Sequence, residues 1–262
     1  MAKRINKAIE KQIIDYYQNG FGVMELSKQF QVHRSTIQRA IQRNNLALRK
    51  RTPCHYDIHF FDTYNIQSCY WAGFIAADGY VRSDRNTVAL HLSVQDREHL
   101  EKLAVLTKYT GQISSNKHDC CLSFNGEWFV RALSHNFNIH PQKTYNIELP
   151  AQMPDEMIPH FLRGYFDGDG CITPHEKYWQ ANFTSGSNIL LQQIADYMHE
   201  HGIKIRNASG KAKIIMSSKS ISYGCANALK VLKLLYQEST EYTRLTRKYR
   251  LYQIATSHLK EQ

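Results

Sequence analysis

Between residues 7 and 18 the apolar positions fall at Ile9, Ile13, Ile14 and Tyr17, the spacing of one helix face. Asn19-Gly20 breaks that pattern, Val23 to Phe30 predicts a short second helix, and Ser35 to Asn44 predicts a third with Ile37 and Ile41 inward. Further along, the period changes from helical to two. Val88, Leu90, Leu92 and Val94 alternate with Thr87, His91 and Ser93; Ala181 and Phe183 alternate with Gln180, Asn182 and Thr184. Lys204 and Arg206 alternate with Ile203 and Ile205, and Lys211 and Lys213 flank Ala212. Alternation of this kind predicts strands buried on one face only. The full reading places strands near 79–84, 86–95, 111–117 and 119–125 with helices near 96–109 and 127–137, then strands near 170–174, 178–185, 202–208 and 211–217 with helices near 187–201 and 219–237.

The two series start from the same motif. Trp71-Ala-Gly-Phe-Ile-Ala-Ala-Asp78-Gly79 and Leu162-Arg-Gly-Tyr-Phe-Asp-Gly-Asp169-Gly170 are short apolar helices that end in an acid and a glycine. Their acids lie 91 residues apart (169 − 78), and Gly73 and Gly164, Leu100 and Leu191, and Gly111 and Gly202 keep that offset. A fixed offset over such a stretch marks a duplicated unit. Ala72 with Ala76, Gly73 with Ala77, and Gly164 with Gly168 are four apart, so each helix carries a stripe with almost no side-chain bulk. Glycine inside a helix costs about 1 kcal/mol relative to alanine, and close approach of two backbones is the usual reason to accept that cost. Packed stripe against stripe, the helices bring Asp78 and Asp169 together at their C-terminal ends. Two carboxylates there face the negative end of each helix dipole and repel each other. A divalent cation removes both problems, and oxygen ligands of this kind suit Mg²⁺.

These motifs resemble the LAGLIDADG family of homing endonucleases, in the form that carries both repeats on one chain; the resemblance covers roughly residues 60 to 255. It implies an α+β fold of two pseudo-symmetric αββαββα repeats forming a DNA-binding saddle. It also implies site-specific cleavage of both DNA strands by metal held between the eighth-position acids, Asp78 and Asp169, with the backbone carbonyls of Ala77 and Gly168. The sixth motif position, often an acid, is Ala76 in one copy and Asp167 in the other. The family's one basic residue per repeat maps to Lys143 in Pro141-Gln-Lys143-Thr and, in the second repeat, to Lys248, with Arg247 as the neighbouring choice. Gln95 is a candidate for ordering water, although its counterpart by offset is Gly186. Groove-reading positions on the sheets are Arg82, His91, Ser93, Gln180, Asn182, Lys204, Arg206, Lys211 and Lys213. The implied cofactor is Mg²⁺, with Mn²⁺ as a substitute, and the implied partner is double-stranded DNA with a long asymmetric target, bound by a monomer. Alternatives with the same fold are a non-cutting DNA-binding regulator and an RNA maturase that assists splicing of its intron. The ends, Met1 and Glu261-Gln262, are not splicing-junction residues, so a free-standing or intron-encoded protein of a mobile element is expected.

Charge adds a second site at the front of the chain. Residues 1–51 hold 11 Lys/Arg against 3 Asp/Glu, a balance of +8 out of a total net charge of +10. Such a module on a nearly neutral body points to a polyanion. The run from Glu25 to Ile41 looks like the helix-turn-helix of many DNA-binding proteins, with Ser27 where alanine is common and Gln31 where glycine is common at the turn. In that motif the last helix enters the major groove N-terminus first, which points Arg34, Ser35, Thr36, Gln38 and Arg39 at base edges and Arg43 at phosphates. The predicted organisation is a helix-turn-helix module over 1–48, a linker over 49–66 that includes Pro53 and the Cys54-to-Asp62 stretch, repeat one over 67–150 and repeat two over 151–262. Six cysteines without Cys-x-x-Cys spacing indicate neither zinc site nor disulfide framework, and no apolar run reaches membrane-spanning length. A reducing compartment is expected: the cytoplasm of a bacterial or phage-infected cell, or an organelle.

Overall fold

Asn6, the residue before the first predicted helix, accepts a hydrogen bond from the Ile9 amide at 2.8 Å and so starts α1 (Lys7–Gln18). The computed structural model describes residues 5–49, 54–82, 84–204 and 219–257, and the chain divides into two compact units, 1–53 and 54–262. In the first unit, α1, α2 (Val23–Gln29) and α3 (Arg34–Arg43) close over Ile13, Tyr17, Leu26, Ile37, Ala40 and Ile41. The turn between α2 and α3 puts Gln31 in the left-handed region (φ 50°), the conformation glycine adopts most easily.

The second unit begins at Cys54, within the stretch expected to be linker. Phe61 is fully buried, Tyr56 makes edge contacts with Phe124 and Phe129, and Phe60 and Tyr64 pack against the same core, while Ile58 and His59 are exposed. Asn65 then caps α4 (Ile66–Asp78), accepting from the Gln67 and Ser68 amides while the Ser68 hydroxyl accepts from the Asn65 amide. Repeat one continues through β1 (Gly79–Arg82), β2 (Thr87–Ser93), α5 (Arg97–Leu106), β3 (Ser114–Ser115), β4 (Asp119–Asn125) and α6 (Glu127–Phe137). Repeat two runs α7 (Ile158–Asp169), β5 (Gly170–Pro174), β6 (Trp179–Thr184), α8 (Asn188–Glu200), β7 (Ser220–Gly224), α9 (Cys225–Tyr236) and α10 (Thr246–Ser257). The strands form antiparallel sheets of order β1-β2-β4-β3 and, among the described residues, β5-β6-β7.

Several expectations need correcting. The helix expected over 219–237 is a strand followed by a helix: β7 alternates Ile221 and Tyr223 inward before α9 starts at Cys225. The strand expected over 111–117 pairs only at Ser114–Ser115. Val94 does not continue the buried face of β2 but enters a 3₁₀ turn, Val94–Asp96, with its side chain exposed. The expected strand at 211–217, and most of the one at 202–208, lie outside the described residues, and Lys204 itself lies in no strand.

The repeats also differ by a compensated shift. Gly79 pairs with Leu90, so a constant offset of 91 would pair Gly170 with Ala181; it pairs with Phe183, two residues on. Two residues preserve the face of a strand, so the core pattern survives. Repeat one recovers the offset in the 3₁₀ turn after β2, and α5 and α8 again start 91 apart, at Arg97 and Asn188.

Candidate catalytic centre and nucleic-acid interface

The centre is set by how closely α4 and α7 cross. A Cβ added to Gly73 would lie 2.0 Å from the Phe161 carbonyl oxygen, and one added to Gly164 would lie 1.9 Å from that of Tyr70. Tyr70 and Phe161 are themselves 91 apart, so the crossing is reciprocal. Nearer the C-termini, a Cβ on Gly168 would meet the Ala77 methyl at 2.4 Å and Asp78 Oδ2 at 3.3 Å. The small-residue stripes therefore face each other, and the Asp78 carboxylate hangs over the end of the opposite helix. Gly79 and Gly170 are not left-handed caps: both are extended (φ −78° and −86°) and start β1 and β5. A side chain at either would strike the carbonyl of the residue four before it.

Asp78 and Asp169 both keep exposed surface, yet protein crowds them from behind. Burial, and then the Asp169 charge, raise the Asp78 pKa to about 6. Burial also raises that of Asp169, against the lowering pull of Lys143, Lys248 and a hydrogen bond with Tyr165.

Each helix end carries one lysine. Lys143, in a 3₁₀ turn beyond α6, donates to the Ala77 carbonyl at 3.3 Å. Lys248, on α10, is buried among the carbonyls of Phe166 (2.6 Å), Asp167 (2.8 Å), Gly168 (3.4 Å) and Gly170 (2.6 Å). Ala77 and Gly168 are 91 apart, so the two lysines stand at equivalent places although their own sequence offset is 105 (248 − 143). Burial lowers both lysine pKa values to about 8, partly offset by Asp169 at Lys143 and by Asp167 at Lys248. Arg247 points elsewhere, pairing with Asp96 at 3.1 Å on the surface.

A divalent cation fits this set. Among the described residues no group of three or more His, Cys, Asp or Glu could hold a metal, so the protein offers two carboxylates and the adjoining carbonyls. Mg²⁺ is commonly held by one or two carboxylates, with water and phosphate completing its shell.

The remaining candidates of the second unit, among the described residues, lie on its strands, turns and loops. Gln95 is exposed in the 3₁₀ turn, where its amide bonds Ser93 Oγ at 3.4 Å. Its offset counterpart Gly186 does something different: a Cβ there would lie 2.4 Å from the Thr144 carbonyl, so repeat two presses on the residue after Lys143. His91 is exposed on β2 with Nε2 3.5 Å from Cys121 Sγ, and Arg82 is held by Asp84 at 2.6 Å. On β6, Gln180 bonds His175 at 3.1 Å, while the buried Asn182 Oδ1 has no partner among the described residues. Lys204 is exposed; Arg206, Lys211 and Lys213 lie outside the described residues. In the first unit, Arg34 and Arg39 are exposed on α3, Thr36 and Gln38 half-exposed, and Ser35 bonds the capping His33 at 2.9 Å. Arg43 is committed to Glu10 of α1, 2.8 Å away, rather than free for phosphate.

Two groups at the centre had escaped a site assignment. Tyr165, buried within the motif, donates its hydroxyl to the Thr184 carbonyl at 3.2 Å and lowers the Asp169 pKa. Asp167 is fully enclosed, and its partners come from three other elements.

A model of the LAGLIDADG-like domain matches residues 65–143 and 156–250. No curated protein matches the chain. Among solved structures, it is similar to the LAGLIDADG homing endonuclease I-LtrWI bound to target DNA, with a TM-score of 0.49 and 12% identity over 78% of this chain and 92% of that one. It is also similar to I-GzeII in complex with its DNA target (TM-score 0.46, 12% identity, 76% and 92% covered) and to the meganuclease I-AabMI bound to uncleaved DNA (0.47, 14%, 74% and 92%).

Proposed function

Since the chain belongs to the LAGLIDADG-like domain family, we propose that it is a divalent-metal-dependent endonuclease that cuts both strands of a specific double-stranded DNA site. The observation that carries this reading is the reciprocal pairing at the helix ends: one carboxylate and one lysine per repeat, at equivalent positions. Asp78 and Asp169, with the Ala77 and Gly168 carbonyls, would hold Mg²⁺, or Mn²⁺ in its place. Metal bound there supplies a water activated for attack and relieves charge at phosphorus.

The chain's own residues do the rest. Asp78 would serve one strand and Asp169 the other, the charge of Lys248 falling first on Asp78 and that of Lys143 first on Asp169. With pKa values lowered to about 8, both lysines would stay largely charged near neutral pH and offset the negative charge that gathers at the helix ends and the bound phosphate. The polar faces of the sheets, with His91, Ser93, Gln180 and Asn182, would lie along the major groove. Arg34, Gln38 and Arg39 of α3 would read further base edges, since arginine pairs bidentately with guanine and glutamine with adenine.

The test is incubation of the protein with Mg²⁺ and an intact copy of its gene's insertion locus, followed by sequencing of the ends. A unique double-strand cut, lost in Asp169→Ala and in EDTA, is the expected result. Tight binding without a cut in any metal would replace this reading with a non-cutting regulator; binding to the flanking intron RNA alone would replace it with a splicing role.

A further inference from the structure

Residues 242–245 lead into α10, Thr246 and Arg247 are its first two residues, and together they fix where Lys248 sits. Every one of these six is tied down by a side chain from elsewhere. The Trp71 indole donates to the Tyr242 carbonyl (3.2 Å), Arg163 to the Thr243 carbonyl (2.7 Å), and Lys102 to the Arg244 carbonyl (3.4 Å). The Leu245 amide donates to Asp167 (2.7 Å), Thr246 Oγ1 receives Lys102 (2.8 Å) and donates to Glu98 (3.2 Å), and Arg247 pairs with Asp96 (3.1 Å). Four of the anchors sit on α4 or α5 or in the turn before α5, that is, in the opposite repeat. A connection between helices normally satisfies its backbone with water and is mobile, so an anchor at each residue calls for an explanation.

Asp167 is the hub. It is fully buried on α7; its Oδ2 accepts from the Leu245 amide and the Tyr70 hydroxyl (both 2.7 Å), and its Oδ1 accepts from the Tyr236 hydroxyl (2.5 Å). Its repeat-one counterpart is Ala76, which can make no such tie. There, the residue after Lys143 is packed so closely that a Cβ on Gly186 would lie 2.4 Å from the Thr144 carbonyl.

We infer that Asp167, through the anchored segment 242–247, is the positioning residue for Lys248, so that cleavage of one DNA strand depends on it and cleavage of the other does not. The inference rests on the nuclease reading above. A charge is not required for the role, only an acceptor for the Leu245 amide. Asparagine can supply that acceptor at the Oδ2 place and turn its amide towards the Tyr236 hydroxyl, whereas alanine leaves three buried donors unmatched.

The experiment has two arms. Cleavage of a target labelled separately on each strand is followed for the wild type, Asp167→Ala, Asp167→Asn and Thr246→Val. In parallel, the rate of Lys248 acylation by a small amine-reactive ester is measured by mass spectrometry, with Lys143 as the internal reference. In Asp167→Ala one strand should be cut about 100-fold more slowly, the order that a misplacement of about 1 Å costs, so nicked DNA accumulates. The other strand and the DNA affinity should change by less than about threefold, as expected for sites that share no partner. Asp167→Asn should recover most of the lost rate. Lys248 acylation should rise about tenfold over Lys143 in Asp167→Ala and in the milder Thr246→Val, as local opening exposes it. Equal slowing of both strands, or Lys248 acylation unchanged in a folded Thr246→Val protein, would overturn the inference. If the wild type cuts nothing, the nuclease reading fails, while the acylation arm still decides whether Asp167 places Lys248.

Discussion

Asp78 occupies a position that works against the fold that holds it. Burial and the neighbouring Asp169 raise its pKa to about 6, from an ordinary value of 3.8. A carboxylate raised in this way takes up a proton more readily when folded than when unfolded. Its ionised form therefore opposes folding above about pH 6, and the opposition fades as pH falls through 6 towards 3.8. Asp78→Asn should accordingly melt higher than wild type at pH 7.5 in EDTA. The gain should be only a few degrees, because the exposed carboxylate edge is screened by water, and it should vanish near pH 4. Calorimetry from pH 4 to 8 checks this, and a melting difference independent of pH would sink it. On the proposed reading, Asp78 is an acid kept at a cost in stability, the usual compromise at active sites. The lysines show why residue identity was legible while residue geometry was not. Lys143 and Lys248 were both named through the family's one basic residue per repeat, not through a local pattern of the chain. That Lys248 occupies the equivalent place despite an offset of 105 rather than 91 depends on how α10 docks, and no local pattern encodes it.

At the level of helices and strands, the crossing of α4 and α7 leaves no room for an added methyl group. Gly164→Ala would place a methyl group 1.9 Å from a backbone carbonyl, and neither helix can move without separating the acids. A loss of about 3 kcal/mol, the upper end for overpacking, should appear in denaturant unfolding. Gly224→Ala is the control: a Cβ there meets nothing within 4 Å, so the change should stay within about 0.5 kcal/mol. If the two variants are equally stable, the close approach is not what the glycines are for. The motif helices were legible because the stripe of small residues and the terminal acid repeat at one interval. The strand β7 was not, since five residues are too few to separate a period of two from a period of 3.6. Helix α10 gave still less warning: only Lys248 and Ala255 are buried along it, so it has no apolar stripe to betray it. The stretch around Phe61 read as linker because aromatic residues beside His and Asp resemble no regular pattern, although they fill the core under α6.

For the chain as a whole, the two units have separate cores, and most of the net charge lies in the first. Phosphate contacts make affinity fall with salt in proportion to their number. On the proposed nuclease reading, a chain beginning at Cys54 should therefore bind its target more weakly and with a shallower salt dependence, yet cut it at the same phosphates. Binding isotherms at several salt concentrations, beside a map of the cut ends, test both halves of this expectation; an unchanged salt slope would remove the first unit from the interface. The reciprocal crossing of α4 and α7 has one more consequence. Two identical chains meeting through such glycine stripes would form their site only above the concentration at which they associate. With both helices on one chain, the second half is always present at the effective concentration of a tethered partner. The paired acids therefore persist at any dilution, and a single molecule carries a complete centre.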